Sequence, residues 1–210
     1  PNLMWRATWS AISVAAVCGL GLAILAGPLV LLIGVASVAA LLGYVGGPVP
    51  YGYKGLGEVF VFVFFGLVAT AGSRFVHDRT VDTATWWLAV PVGLMAVAIL
   101  VVNNLRDLET DERAGKRTLA VIVGDAATRR VFTWVIVASY GWVLVGASLG
   151  ILSWWSLLCL LSLPLALRLA TTVRHEQQRR SLGPALGQTA RLHLVMGLLL
   201  ATGTLIGARL

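Results

Sequence analysis

Apolar residues along this chain come in long runs separated by short polar stretches. A bilayer-spanning helix needs roughly 20 mainly apolar residues. Seven segments have that character: 7–26, 28–46, 57–76, 85–104, 131–149, 151–171 and 188–208. In lipid the backbone has to satisfy its own hydrogen bonds, so runs of this length are expected as helices. The pattern predicts an all-α, polytopic membrane helix bundle, one domain over 1–210, with seven transmembrane helices. Three connections on one side, 47–56, 105–130 and 172–187, are longer than those on the other.

Composition strengthens the membrane reading. The chain is 58% hydrophobic and 12% charged, whereas a soluble domain carries about 25% charged residues. The formal charge of +7 does not point to nucleic acid, because the basic residues lie in short loops between apolar runs. If the residues before the first span are cytoplasmic, that side holds Arg6, Lys54, Arg106, Arg113, Lys116, Arg117, Arg129, Arg130, Arg168, Arg174, Arg179, Arg180 and Arg191. The other side holds Arg74, Arg79 and Arg209. This 13-to-3 bias predicts a multi-pass protein of the cell (plasma) membrane with cytoplasmic working loops, its start inside and its end outside. Trp5, Trp9, Trp86, Trp87, Trp134, Trp154 and Trp155 fall at the expected interfaces, and Trp142 reads as a packing residue.

The stretch with chemical potential ends the fourth span: Asn103-Asn104-Leu105-Arg106-Asp107-Leu108-Glu109-Thr110-Asp111. Asn103, Asp107 and Asp111 are four apart and share one helix face, while Glu109 points elsewhere. Stacked carboxylates repel, and a bound cation removes that cost. Oxygen ligands favour Mg²⁺ or Ca²⁺ over zinc, and Mg²⁺ is commonly held by one or two carboxylates plus substrate phosphates. The face therefore reads as half of a diphosphate–metal site. The competing reading is a polar helix end at headgroup level. Gly115 marks a helix C-terminus. Arg106, Lys116 and Arg117 stand within reach of an anion brought by the metal.

Residues 103–118 resemble the second aspartate-rich motif of the UbiA superfamily of intramembrane prenyltransferases, and the full run 103–125, NNLRDLETDERAGKRTLAVIVGD, is similar to its 1,4-dihydroxy-2-naphthoate branch. Residues 44–66, YVGGPVPYGYKGLGEVFVFVFFG, are similar to the same branch. The resemblance implies nine helices and two aspartate-rich motifs. It casts these residues as a fragment carrying family helices three to nine, with the first motif, after the second helix, upstream of Pro1. On that reading the fragment alone is not expected to be active. The implied reaction is Mg²⁺-dependent transfer of a polyprenyl group from a polyprenyl diphosphate to 1,4-dihydroxy-2-naphthoate, with decarboxylation, giving demethylmenaquinone. Asp107 and Asp111 would hold Mg²⁺ through the diphosphate, and Asn103 would orient them or bind a metal water. Arg106, Lys116, Arg117 and Asn104 would contact substrate.

The loop 47–58 is rich in glycine and proline, which enforce turns, but lacks the GK[ST] ending of a nucleotide-binding P-loop. The resemblance places it at the cytoplasmic mouth, with Lys54 toward diphosphate, Tyr51 or Tyr53 toward either substrate, and Glu58 in the acceptor pocket. A tight interfacial loop and a water-facing Glu58 are the competing readings. His77, His175 and His193 read as surface or packed histidines, Asp78 and Asp82 as outer-loop solvation, and Asp125 as a helix cap. Arg174, Arg179 and Arg180 read as an orientation signal beside anionic lipid. Cys18 and Cys159 read as buried small hydrophobes. The pairs Gly43/Gly47, Gly146/Gly150 and Gly203/Gly207 have the spacing of close helix contacts. Two rivals are prenyl transfer to another acceptor, such as 4-hydroxybenzoate or haem, and a seven-span transporter. A transporter is expected to place charges at mid-membrane depth, and here the charges gather at one face.

Overall fold

A computed structural model describes residues 2–46, 50–176, 178 and 181–209. Gly47, Arg179 and Arg180, to which the sequence assigns roles, lie outside the described residues. The chain is helical throughout its ordered elements: α1 (Asn2–Ala26), α2 (Leu29–Val45), α3 (Gly57–Asp78), α4 (Thr83–Arg113), a short α5 (Leu119–Val123), α6 (Asp125–Ser148), α7 (Trp154–His175) and α8 (Leu182–Gly207). Six of these, α1, α3, α4, α6, α7 and α8, are long and apolar enough to cross a membrane. The expected second span is shorter, 17 residues, or about 25 Å of helix. It is bounded by Gly27, with φ +97°, followed by Pro28, and by the extended Gly46. The chain is thus a multi-pass membrane helix bundle.

Helix α4 is the axis of the bundle and packs against α3, α6 and α8. More than half of its apolar stretch (56%) is buried, against 6% for α1, which rests on α2 and the end of α3. That sparse cover corrects one expectation: Cys18 on α1 is exposed, while Cys159 on α7 is buried.

Pro91 lies inside α4 and cannot donate to the carbonyl of Trp87. The Trp142 indole on α6 fills the gap, donating to that carbonyl at 3.1 Å while its ring stacks on Trp87 at 4.4 Å. Near this point α3 takes a π-helical turn, Phe62–Val68, and crosses α4 backbone to backbone: a Cβ on Gly66 would overlap Gly93 Cα. α7 opens as a 3₁₀ helix, Trp154–Ser162, pressed onto α8 where a Cβ on Gly203 or Gly207 would overlap Trp155 or Ser153. Gly150 has a different job. Its φ of +71° ends α6, with Gly150 N–H donating to Ala147 and Ile151 N–H to Gly146.

Two aspartate readings also change. Asp82 caps α4, accepting from Thr85 N–H at 2.7 Å and Thr85 Oγ1 at 2.6 Å. Asp125 is the first residue of α6 and does not cap it. Gly124 takes that place, and Asp125 pairs with Arg129 one turn on. His193 packs beside Pro91, Met95 and Met196, and His77 bonds Ser73 O at 2.8 Å.

A candidate diphosphate–metal site at the end of α4

The last three turns of α4 and the loop after it build one polar cavity of about 120 Å³. Asn103, Asp107 and Asp111, one turn apart on a single helix face, line it together with Asn104, Tyr44, Gly52, Tyr53, Lys116 and Thr118. The helix ends in a way that brings Lys116 back over this face. Gly115 adopts φ +71° and donates to Glu112 O at 3.0 Å, and Lys116 N–H donates to Asp111 O at 2.9 Å. Only glycine takes that left-handed position cheaply. The reversal sets Lys116 Nζ 3.1 Å from Asp111 Oδ1 and 5.5 Å from the centre of the Tyr53 ring.

Each carboxylate thus has its own cation. Arg106 donates from Nε and Nη2 to the two oxygens of Asp107, both at 2.7 Å, and from Nη2 to Asn103 Oδ1 at 3.0 Å. Asp111 is 8% exposed and leans on Lys116. The hydrogen bond that Lys116 donates to Asp111 raises the pKa of its ammonium above the usual value.

The connection from α2 to α3 forms the opposite wall. Tyr53 O accepts from Arg117 N–H at 3.1 Å, which ties this connection to the loop after α4. Gly52 lies against Tyr44, where a Cβ would come within 2.6 Å of the Tyr44 carbonyl. Behind the wall, Glu58 is 9% exposed and accepts from Asn104 Nδ2 at 2.9 Å through Oε1. Glu58 Oε2 and Thr118 Oγ1 are both buried without a hydrogen-bond partner.

A second cavity, apolar and about 500 Å³, runs between α2 and α3 and shares Tyr44 with the polar one. Tyr51 forms its near end, donating its hydroxyl to Ala40 O. Tyr51 stacks on Phe60 at 3.6 Å and Phe60 on Phe64 at 6.1 Å, so aromatic faces line its length. Phe65 at its rim is 67% exposed.

The structure therefore gathers Asn103, Asn104, Asp107, Asp111, Lys116 and Tyr53 in one cavity, with Arg106 and Glu58 bonded to its lining. Tyr51 goes to the apolar groove instead. Lys54 and Arg117 are exposed and do not line the cavity. Tyr44, Gly52 and Thr118 were not singled out in the sequence. Their signal was position alone, inside the two stretches that carry the family resemblance. Among the described residues no cluster of three or more His, Cys, Asp or Glu side chains is placed to hold a metal by itself. Two carboxylates fit an ion that completes its shell with waters and phosphate oxygens, as Mg²⁺ does.

Comparison with known proteins bears on this geometry. The chain is 38% identical over 201 residues to 1,4-dihydroxy-2-naphthoate octaprenyltransferase of Mycobacterium leprae (strain TN), covering 96% of this chain and 67% of that protein. The protein of the same name from Mycobacterium tuberculosis (strain ATCC 25618 / H37Rv) is 38% identical, over 99% of this chain and 70% of its own length. Its namesake from Escherichia coli (strain K12) is 35% identical, over 82% of this chain and 56% of its own length. No solved structure gives a significant match. A description of the UbiA prenyltransferase family matches residues 4–195, nearly the whole of the helical bundle and all of the polar cavity, and the chain belongs to that family.

Proposed function

We propose that this prenyltransferase moves a polyprenyl group from its diphosphate to 1,4-dihydroxy-2-naphthoate, with loss of the acceptor carboxylate as CO₂, giving the hydroquinone form of demethylmenaquinone. Relatives bearing that name across most of the chain support the acceptor. The observation that carries the site assignment is the single cavity holding Asp107, Asp111, Asn103 and Lys116.

Asp107 and Asp111 would hold Mg²⁺ through the diphosphate, with Asn103 orienting Asp107 or bonding a metal water. When bound, the ion offsets negative charge that grows on the leaving diphosphate. Arg106 and Lys116 add to that from the protein side, and charge that develops in the transition state is where such groups act best. The allylic C–O bond breaks, its electron pair leaving with diphosphate, and an electron-rich carbon of the acceptor bonds to the allylic carbon. The aromatic groove between α2 and α3 shields the cation from water and receives the apolar tail, with Phe65 toward the lipid. The positive-inside bias supports a cytoplasmic position for this end of the bundle, in the cell membrane.

In the full-length enzyme, Asp111→Ala is expected to lower prenyl transfer by about 100-fold or more while the protein still inserts into membranes. Transfer of radiolabelled prenyl groups in isolated membranes measures it. Activity within a few-fold of wild type would remove Asp111 from the site.

A further inference from the structure

The half of α3 that runs away from the polar cavity carries a polar stripe. Thr70, Ser73, Arg74 and His77 stand at i, i+3, i+4 and i+7, so they share one face of the helix. Thr70 precedes the helix end at Asp78 by eight residues, about 12 Å along the axis. That is deeper than a headgroup layer of about 5–8 Å. Polar side chains at such depth face a partner or a cavity. Here all four line an open cavity of about 670 Å³, together with Asp78 and the apolar Phe65 and Ala69. Ser37, Ser139, Thr189 and Thr204 close their hydroxyls on the carbonyl one turn back. Among the described residues, the Thr70 and Ser73 hydroxyls make no such bond and stay available to the cavity.

The charges at this cavity have both signs. Arg74 pairs with Asp78 one turn on, and its Nη2 lies 3.9 Å from Asp82 Oδ2. The Arg74 and Asp78 side chains are still 46% and 43% exposed, so each keeps a face for a ligand. His77 Nδ1 sits 2.8 Å from Ser73 O. A carbonyl oxygen only accepts, so Nδ1 carries the proton, and Nε2 of the neutral ring is left with a lone pair that accepts an N–H. A bare anion would meet Asp78 and Asp82 as well as Arg74. A zwitterion with a phosphate, a primary ammonium and apolar chains meets each group with its complement. We propose that this cavity binds an ethanolamine phospholipid, its phosphate on Arg74, its ammonium donating to Asp78 and His77 Nε2, and an acyl chain on Phe65 and Ala69. Those two apolar residues also line the aromatic groove, so the bound lipid lies against the far end of that groove. The site shares no residue with the polar cavity and goes beyond the prenyl transfer assigned there.

The test titrates the full-length enzyme, delipidated in detergent, with phosphatidylethanolamine, phosphatidylcholine and phosphatidylglycerol of identical acyl chains, bound lipid being counted by native mass spectrometry. The ethanolamine lipid is expected to bind about 10- to 100-fold more tightly than the choline lipid, because N-methylation removes every N–H and a hydrogen bond to a charged group is worth that much. The glycerol lipid, an anion without an ammonium, should also bind more weakly than the ethanolamine lipid. His77→Phe is expected to shrink the preference for ethanolamine over choline by about 3- to 10-fold, the worth of one hydrogen bond, and to leave the Kd of the choline lipid unchanged. Arg74→Gln is expected to weaken all three lipids by about 10-fold through the phosphate they share. His77 is exposed and bonds only its own helix, so His77→Phe carries the test if Arg74→Gln, which breaks the pair with Asp78, fails to insert. Equal affinity for ethanolamine and choline lipids, tighter binding of the glycerol lipid, or a preference untouched by His77→Phe would overturn the site. So would a wild-type enzyme that binds none of the three, the result expected if another part of the chain fills the cavity.

Discussion

At the scale of residues, Lys116 and Asp111 show how a backbone detail produces an electrostatic one. The left-handed Gly115 returns the chain so that an ammonium five residues on from Asp111 lies against it. Arg106 serves Asp107 from the preceding position in the sequence with two of its three hydrogen bonds. In the bare site repulsion between the two acidic groups is therefore muted by their own cations, and the cost of assembling them falls. At the opposite end of α4, Asp82 is a smaller case of the same kind. Its bonds to Thr85, first the hydroxyl and then the N–H, hold its carboxyl below the usual carboxylate value. The resulting stabilisation is present at neutral pH, above the unfolded value of about 4, and fades as pH falls through the depressed one. Asp82→Ala is expected to cost about 1 kcal/mol, seen as a lower Tm in detergent at pH 7. The gap to wild type should narrow on acidification below pH 4. A gap that is constant with pH would show that the cap's charge does not matter.

Elements meet here through small residues and one exchanged hydrogen bond. The α3–α4 crossing depends on Gly66 and Gly93 because there is no room for a Cβ between the two backbones. Gly66→Ala has to separate the helices or distort the π turn, and is expected to cost about 1–3 kcal/mol. Thermal unfolding of the detergent-solubilised protein reads this directly, and an unchanged Tm would mean that the crossing is looser than the geometry states. Glu58 lies on the same helix as Gly66 and bonds Asn104 on α4, so packing at this crossing and that hydrogen bond are linked. Pro91 and Trp142 show the second device: a carbonyl left open by proline in one helix is closed by an indole from another. In a bilayer an unmet carbonyl has no water to turn to, which is why such a proline is tolerated only with a partner nearby.

Over the whole molecule, the two ends of the bundle differ. The middle is apolar and packed around α4, one end carries the Arg74–Asp78 pair and the Asp82 cap, and the polar cavity with Asp107, Asp111 and Lys116 opens at the other. A ligand that bridges α4 to the α2–α3 connection draws the two walls together, so it should stabilise the fold as a whole. Mg²⁺ together with a prenyl diphosphate is expected to raise the Tm, by the equivalent of about 2.7 kcal/mol at 100 times the Kd. Mg²⁺ alone should do much less, because two carboxylates leave most of its shell to water. Full stabilisation by the metal alone would point to a self-sufficient metal site and against the shared one.

The linear order of residues determined the helices and the acidic face. Long apolar runs have one solution in lipid, and a four-residue spacing puts Asn103, Asp107 and Asp111 in one row whatever surrounds them. Gly115 and Lys116 were legible for the same reason, since a helix stop is a local event. Which residues oppose that row was decided only by tertiary structure. Glu58 meets Asn104 across 46 positions, Tyr44 joins two cavities, and Thr118 turns inward while its neighbour Arg117 turns out. Burial also fell outside the reach of sequence. Cys18 and Cys159 sit in equally apolar runs, yet one is exposed on α1 and the other sealed under α8, because hydropathy does not distinguish a helix facing lipid from one facing its neighbours.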